Sequence, residues 1–313
     1  MLEPDTSGSS ANDRLDSLDK LYVSGICIQY LYMVDTVLRS CAYVPKGGVG
    51  KTTSTAHIAV SAANDHGLDV LLIDLAGTQN DLATQFGLAD DVVDPDAPIS
   101  AIFGENWDFI RENIDNVFDR MVFETDEGPD LIPADSGLGA EDNNLANVPR
   151  EDRYTRLESF IESEVAPRYD LVLLDLPGKE DNITINGLFA AENVVAPLRP
   201  GEFERKQLEN LQTELESIRA DEDHDARPQL QLVFATMVDQ TTNLADEFTD
   251  SLEEEYSEIA GTSVSESANI GNEQASGQTL FALDDDELYN TGQRARDAYR
   301  QLTTDLLERL EAR

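Results

Sequence analysis

Two runs, DVLLIDL at 69–75 and YDLVLLDLP at 169–177, are continuously apolar between acidic positions. A strand with one face in water alternates apolar and polar residues; a run this unbroken needs cover on both faces. That is the setting of a parallel sheet between two layers of helices. From residue 37 onward the remaining pattern agrees, with short β-branched runs alternating with helical spacing, as in βαβ units. TVLRSCAYV reads as the first strand, and AENVVAPL and QLQLVFATM as two further strands. A helix is expected from about Lys51 to His66, closed by Gly67 as its C-cap. Leu208, Leu211, Leu215 and Ile218 recur at helical spacing as a core stripe, and Ala298, Leu302, Leu306 and Leu310 mark one side of a C-terminal helix. Acid-rich stretches around 86–96 and 219–227 read as surface loops. The expected fold is α/β, a doubly wound and mostly parallel sheet, in a single domain over 37–313.

The 313 residues carry 63 acids against 22 bases, a net charge of −41, and only five of the bases are lysines. With 40% hydrophobic residues the chain can still bury a sizeable core. So large a charge repels itself in dilute buffer, whereas near 1 M salt the Debye length falls to about 3 Å. The composition reads as adaptation to a salt-rich cytoplasm. Cys27 and Cys41 supply neither a disulfide framework nor a paired metal motif. His57, His66 and His224 are too few for a histidine metal site and read as helix surface or core packing. The longest uncharged stretch, LYVSGICIQYLYMV at 21–34, is too short to span a bilayer and lacks the basic flank of a signal peptide. Residues 1–36 differ in composition from the rest of the chain. Either translation starts at Met33, or this is a natural, poorly ordered extension; the intact mass from the native cell separates the two.

Two of the five lysines flank a glycine cluster in VPKGGVGKTT, Val44 to Thr53, between a predicted strand and a predicted helix. In that setting Gly47, Gly48, Val49 and Gly50 can turn successive N–H groups toward phosphate oxygens, reinforced by the positive end of the helix. Lys51 would lie along the β- and γ-phosphates, Thr52 would place its hydroxyl on Mg2+, and Thr53 would bond the α-phosphate. The strict pattern G-x-x-x-x-G-K-[ST] is not met, because Pro45 stands at its first glycine, and Lys46 follows at once.

That combination resembles the deviant Walker A motif, K-G-G-x-G-K-[ST], of the ParA/MinD family of P-loop ATPases. The resemblance implies that Lys46 reaches phosphates bound by the other subunit of an ATP-dependent homodimer. It extends over most of 37–313: YDLVLLDLPG is similar to the Walker B strand, so that Asp175 would hold Mg2+ through a water and Pro177-Gly178 would begin switch II. TINGLFAAENVVAPLRPGEFERKQLENL, FATMVDQTTNLADEF and GQTLFALDDDELYNTGQRARDAYRQL resemble successive later segments of the family. No cluster cysteines come after the phosphate loop, and the C-terminal helix lacks the basic amphipathic character of a membrane-targeting one.

Two departures bear on function. The family's switch I reads D-x-D-P-Q; here DLAGTQND keeps Asp74 at the first aspartate, a further candidate near the metal, but has Ala76 at the second. A methyl group can neither accept a proton nor order a water. Hydrolysis is then very slow, or Gln79 or Asp81 compensates, or the protein cycles by nucleotide exchange alone. The arginine usual in the family's T-M-x-D segment is replaced, with Gln240 and Thr241 lying there, which leaves Arg294, Arg296 and Arg300 as the candidate DNA contacts. Arg296 and Arg300, four apart, share a helix face that Asp297 balances. Phosphate-driven affinity falls steeply with salt, so DNA binding would lean on arginine hydrogen bonds and an adaptor. The resemblance implies a cytoplasmic, nucleoid-associated ATPase for plasmid or chromosome partitioning, with ATP, Mg2+, non-specific DNA and a ParB-like centromere-binding protein as ligands and partners, and no membrane. The alternatives are a hydrolysis-deficient, nucleotide-dependent regulator and a protein that positions another cargo.

Overall fold

The computed structural model describes residues 37–313 apart from Thr78, Gln79, Asp94, Glu202, Glu222, Asp223, Arg313 and the side chain of Glu151. Residues 1–36, with Cys27, the 21–34 stretch and Met33, lie outside the described residues, as does Gln79.

One sheet organises the described chain. Its strands are β1 (Leu38–Ala42), β2 (Val70–Asp74), β3 (Phe123–Glu124), β4 (Asp130–Ile132), β5 (Leu171–Asp175), β6 (Asn193–Leu198) and β7 (Gln229–Ala235). They lie in the order β3-β4-β2-β5-β1-β6-β7, with β3 antiparallel to β4 and every other pairing parallel. The helices are α1 (Lys51–His66), α2 (Asp81–Gln85), α3 (Trp107–Asn113), α4 (Leu138–Leu145), α5 (Arg150–Arg153), α6 (Arg156–Phe160), α7 (Asn182–Ala191), α8 (Glu204–Arg219), α9 (Asn243–Glu255), α10 (Ala268–Ser276) and α11 (Asn290–Glu311). This is the expected doubly wound α/β architecture.

The unbroken apolar runs are explained by two cores. Val70 and Leu72 of β2 and Leu171 and Leu173 of β5 point to one layer, where Ala56, Ile58 and Ala59 of α1 meet Ala298, Leu302, Leu306 and Leu310 of α11. Their neighbours Leu71, Ile73, Val172 and Leu174 point to the other, filled by Leu188 of α7, Leu208, Leu211 and Leu215 of α8, and Phe248 and Leu252 of α9. Alternate side chains thus leave on opposite faces into separate cores. Gly67 ends α1 in the left-handed region at φ 70, its N–H reaching Ala62 O and Ala63 O, a conformation that costs a residue with a β-carbon more.

The antiparallel edge is the part the periodicity missed. β3 and β4 have two and three residues, too few to show a period, and are joined through a turn in which Gly128 takes φ 110. His57 is buried in the core, and His224, from an acid-rich loop, is also buried, its ring 4.9 Å from Phe189 and 5.5 Å from Tyr154. No helix among the described residues is long and apolar enough to cross a membrane.

Register fixes where chemistry can sit. Asp175 at the end of β5 pairs with Asp74 at the end of β2 and with Ala42 at the end of β1. The glycine-rich segment, both aspartates and the Ala76 turn therefore emerge together at the carboxyl edge of the sheet, the usual ligand side of an open α/β sheet.

Candidate functional site

The phosphate loop leaves β1 and enters α1 without capping the helix. Gly50, the residue before α1, lies at φ 83, and no side chain caps that end or places an acid in its first turn. The first backbone N–H groups thus keep their donor capacity for an anion, and the helix dipole adds to their pull. Gly48 also takes a left-handed φ of 72, with open space where a β-carbon would stand. Thr236, just past β7, secures the loop from below: its Oγ1 donates to Val49 O at 2.9 Å. That role was invisible in the sequence because it spans 187 residues.

Lys51 is buried against the loop, with Nζ donating to Lys46 O at 2.8 Å and to Val44 O at 3.5 Å. Burial lowers its pKa, and the nearby Asp175 charge opposes that fall. A cation held by carbonyls and largely stripped of water is suited to meet a triphosphate. Thr52 Oγ1 donates to Asp175 Oδ2 at 2.6 Å, while Thr53 O is bonded at 2.7 Å to His57 Nδ1.

Asp74 and Asp175 are both fully buried. Burial is the largest cause raising each carboxyl above its ordinary range; the charge of Asp175 adds to the rise at Asp74, and Thr52 and Lys51 counter it at Asp175. Asp74 accepts from Ala76 N at 2.8 Å and from Leu82 N at 3.4 Å, so its two oxygens shape the turn after β2. Asp175 Oδ1, in contrast, is buried with no partner. An orphaned carboxylate oxygen beside a threonine hydroxyl fits a divalent cation. Among the described residues no group of three or more His, Cys, Asp or Glu could form a metal cage. An ion held by Thr52 and Asp175 would complete its shell with phosphate and water, as Mg2+ commonly does.

Lys46 sits at the rim of this site, and its Nζ donates to Glu204 Oε1 at 2.5 Å. The Lys46 side chain is 36% exposed and that of Glu204 only 9%. Burial opposes ionisation of Glu204, but the Lys46 ammonium, with the backbone N–H groups of Phe203 and Glu204, outweighs it and holds the carboxyl below its ordinary value. The turn after β5 closes on the same spot, since a β-carbon at Gly178 would come within 2.8 Å of Lys46 C and O. Only glycine permits that approach without displacing backbone.

The three arginines do not form one surface. Arg296 is buried, with NH1 donating to Leu283 O at 2.9 Å and NH2 paired with Asp285. The expectation that it shares an open face with Arg300 is corrected: the helical spacing was right, but that face turns into the 283–285 segment. Arg300 is half-exposed, bonded to Asp65 at 3.2 Å and Asp297 at 3.4 Å. Arg294 NH1 donates to Gln240 Oε1 at 2.7 Å.

A family model described as an AAA domain matches residues 41–232. The sporulation initiation inhibitor protein Soj of Bacillus subtilis is 32% identical over 200 residues, covering 64% of this chain and 72% of Soj. The chromosome partitioning protein ParA of Caulobacter vibrioides is 30% identical over 211 residues, 64% of this chain and 70% of that one. Among solved structures, a putative plasmid partition protein from Borrelia burgdorferi bound to AMPPNP superposes with TM-score 0.65 at 18% identity, covering 88% of this chain and 99% of its own. Cobyrinic acid a,c-diamide synthase from Mycobacterium smegmatis, with bound ADP and magnesium, gives TM-score 0.66 at 20% identity over 88% and 96%. Both structural likenesses speak to the fold, and the sequence matches carry the lineage. With the phosphate loop, its second lysine and the paired strand-end aspartates on one sheet edge, the chain belongs to the ParA/MinD family of P-loop ATPases.

Proposed function

We propose that the protein is an ATP-dependent dimeric switch of the partition type, which binds Mg-ATP at 46–53 and hydrolyses it slowly. The observation that carries this reading is the position of Lys46 at the rim of the phosphate loop, its partly exposed side chain tethered by one carboxylate. An ammonium so placed can leave Glu204 for the phosphates of a second copy. Lys51 and the free N–H groups of α1 would hold the nucleotide, and Thr52 with Asp175 would hold Mg2+, which supplies charge neutralisation between the phosphates. The Bacillus and Caulobacter relatives are named as sporulation and partitioning proteins, and the Borrelia neighbour was solved with AMPPNP, an ATP analogue. They support ATP as the nucleotide and DNA segregation as the task; a ParB-like partner follows from the family resemblance alone.

Arg296 drops out of the DNA surface in this reading, which leaves Arg294 and Arg300. A salt-rich cytoplasm remains the setting, given the net charge of −41. Ala76 favours a second reading, a clamp that binds ATP and cycles by exchange, acting as a regulator or positioning another cargo. ATP turnover in molar KCl with Mg2+, alone and with a DNA-bound ParB-like partner, separates the two. Turnover above a Lys51→Ala control supports hydrolysis; none in either condition leaves the clamp.

A further inference from the structure

Ala76 lines a cavity of about 390 Å3 together with Leu138, Lys179, Asp181 and Ile183. The place from which the family's second switch I carboxylate is missing thus opens onto a charged pair carried by switch II. Lys179 Nζ and Asp181 Oδ2 are 2.6 Å apart, and the Asp181 side chain is only 10% exposed whereas that of Lys179 is 62% exposed. Asp181 Oδ1 accepts from Thr184 N at 2.8 Å, which caps α7. A carboxylate has about four acceptor positions, so two remain open after these bonds. The cavity has room for water, and its walls combine apolar side chains with this one anionic group. Asp181 also lies on the connection from β5 to α7 that begins just after Asp175, the residue that would hold Mg2+.

We propose that Asp181, steadied by Lys179 and by the α7 cap, orients the hydrolytic water in place of the carboxylate absent at Ala76. In the step it serves, a bond forms from the water oxygen to Pγ as the bond from Pγ to the β,γ-bridging oxygen breaks. The bridging oxygen leaves on ADP with the electron pair, and the water's proton ends on inorganic phosphate. Asp181 accepts a hydrogen bond from that water, which fixes its line of approach and disperses charge as the O–H bond weakens. Lys179 supplies the restraint: its bond to Asp181 holds the carboxylate in place and raises the ammonium above its ordinary range. Asp81 is the competing acceptor, but it is exposed at the start of α2 and does not line this cavity.

The inference rests on the ATPase reading above, and one set of variants separates the two. Asp181→Asn keeps a residue able to cap α7. Single-turnover hydrolysis should fall by at least about tenfold, while affinity for a non-hydrolysable ATP analogue by equilibrium dialysis stays within about twofold. The ATP-held dimer should last correspondingly longer. Adding Ala76→Asp to Asp181→Asn should restore turnover, which a merely structural defect would not allow. Undiminished turnover in Asp181→Asn overturns the proposal, as does a loss that Ala76→Asp fails to restore, or a loss produced by Asp81→Asn instead. Absence of turnover in the unmodified protein would sink the hydrolysis reading itself, and this proposal with it.

Discussion

Helix α1 serves two regions that treat buried polar groups in opposite ways. At its N-terminal end, on the carboxyl edge of the sheet, donors and acceptors are left open: the uncapped first turn, Asp175 Oδ1 without a partner, and Lys51 resting on carbonyls. Along its packed face against α11, polar groups are matched within the chain. His57 Nδ1 is 2.7 Å from Thr53 O, and its Nε2 accepts from Leu280 N at 3.2 Å. Those two partners assign the neutral tautomer with hydrogen on Nδ1. Burial pushes the imidazole down to about 4, so it stays neutral, stacked 4.5 Å from Tyr299. Thr303 Oγ1 donates to Tyr299 O at 2.8 Å. The packed face supplies the rigidity, and the open edge holds unused bonding capacity that a ligand can satisfy.

Substitutions at the two regions should therefore part binding from stability. The largest effect is expected at the edge. Lys51→Ala should weaken ATP binding by at least about 100-fold, the penalty of removing one partner of a desolvated charge pair. The melting temperature of the nucleotide-free protein should not fall, because a buried ammonium is removed with it; calorimetric titration and thermal melts read both. At the packed face the pattern should reverse. Leu302→Ala should cost about 2–5 kcal/mol of stability by denaturant titration in molar salt, with ATP affinity of the folded protein unchanged.

A smaller effect concerns pH. The Asp74 carboxyl is raised in the folded state, so the native protein binds that proton more tightly than the unfolded chain. Its contribution is complete below the ordinary carboxylate pKa and is lost as pH rises through the elevated folded value. The nucleotide-free protein should thus melt at lower temperature at pH 8 than at pH 5, and Asp74→Asn should flatten that difference. An unaltered slope would remove Asp74 as its source. The smallest effect belongs to Glu204→Gln. Its partner Lys46 is one-third exposed, so the pair is worth about 0–1 kcal/mol after solvent screening. ATP-dependent dimerisation should tighten by at most a few fold in sedimentation experiments, and weakening would show that Glu204 aids the dimer.

The two regions also differ in how much of them the sequence disclosed. The phosphate loop was legible because its residues are contiguous, and the identity of each is dictated by the loop itself: glycines at φ 72 and 83, lysines on either side, threonine in the first turn of the helix. Strands β2 and β5 were legible from runs that only a doubly covered strand explains. What escaped was whatever depends on distant chain. Thr236 under Val49, Glu204 on Lys46 and Gly178 against the Lys46 backbone have no local signature. Arg296 shows the limit of periodicity: spacing says which residues share a helix face, but not whether a carbonyl at Leu283 and a carboxylate at Asp285 await them. The β3–β4 edge escaped because strands of two and three residues carry no period.

The most direct test of the central claim, that Lys46 serves a second copy and Lys51 its own nucleotide, is sedimentation velocity of Lys46→Ala with saturating ATP in molar KCl. The account predicts a protein that binds ATP as tightly as the unmodified chain yet remains monomeric where that chain is a dimer. A Lys46→Ala protein that dimerises with ATP to the same extent would contradict it.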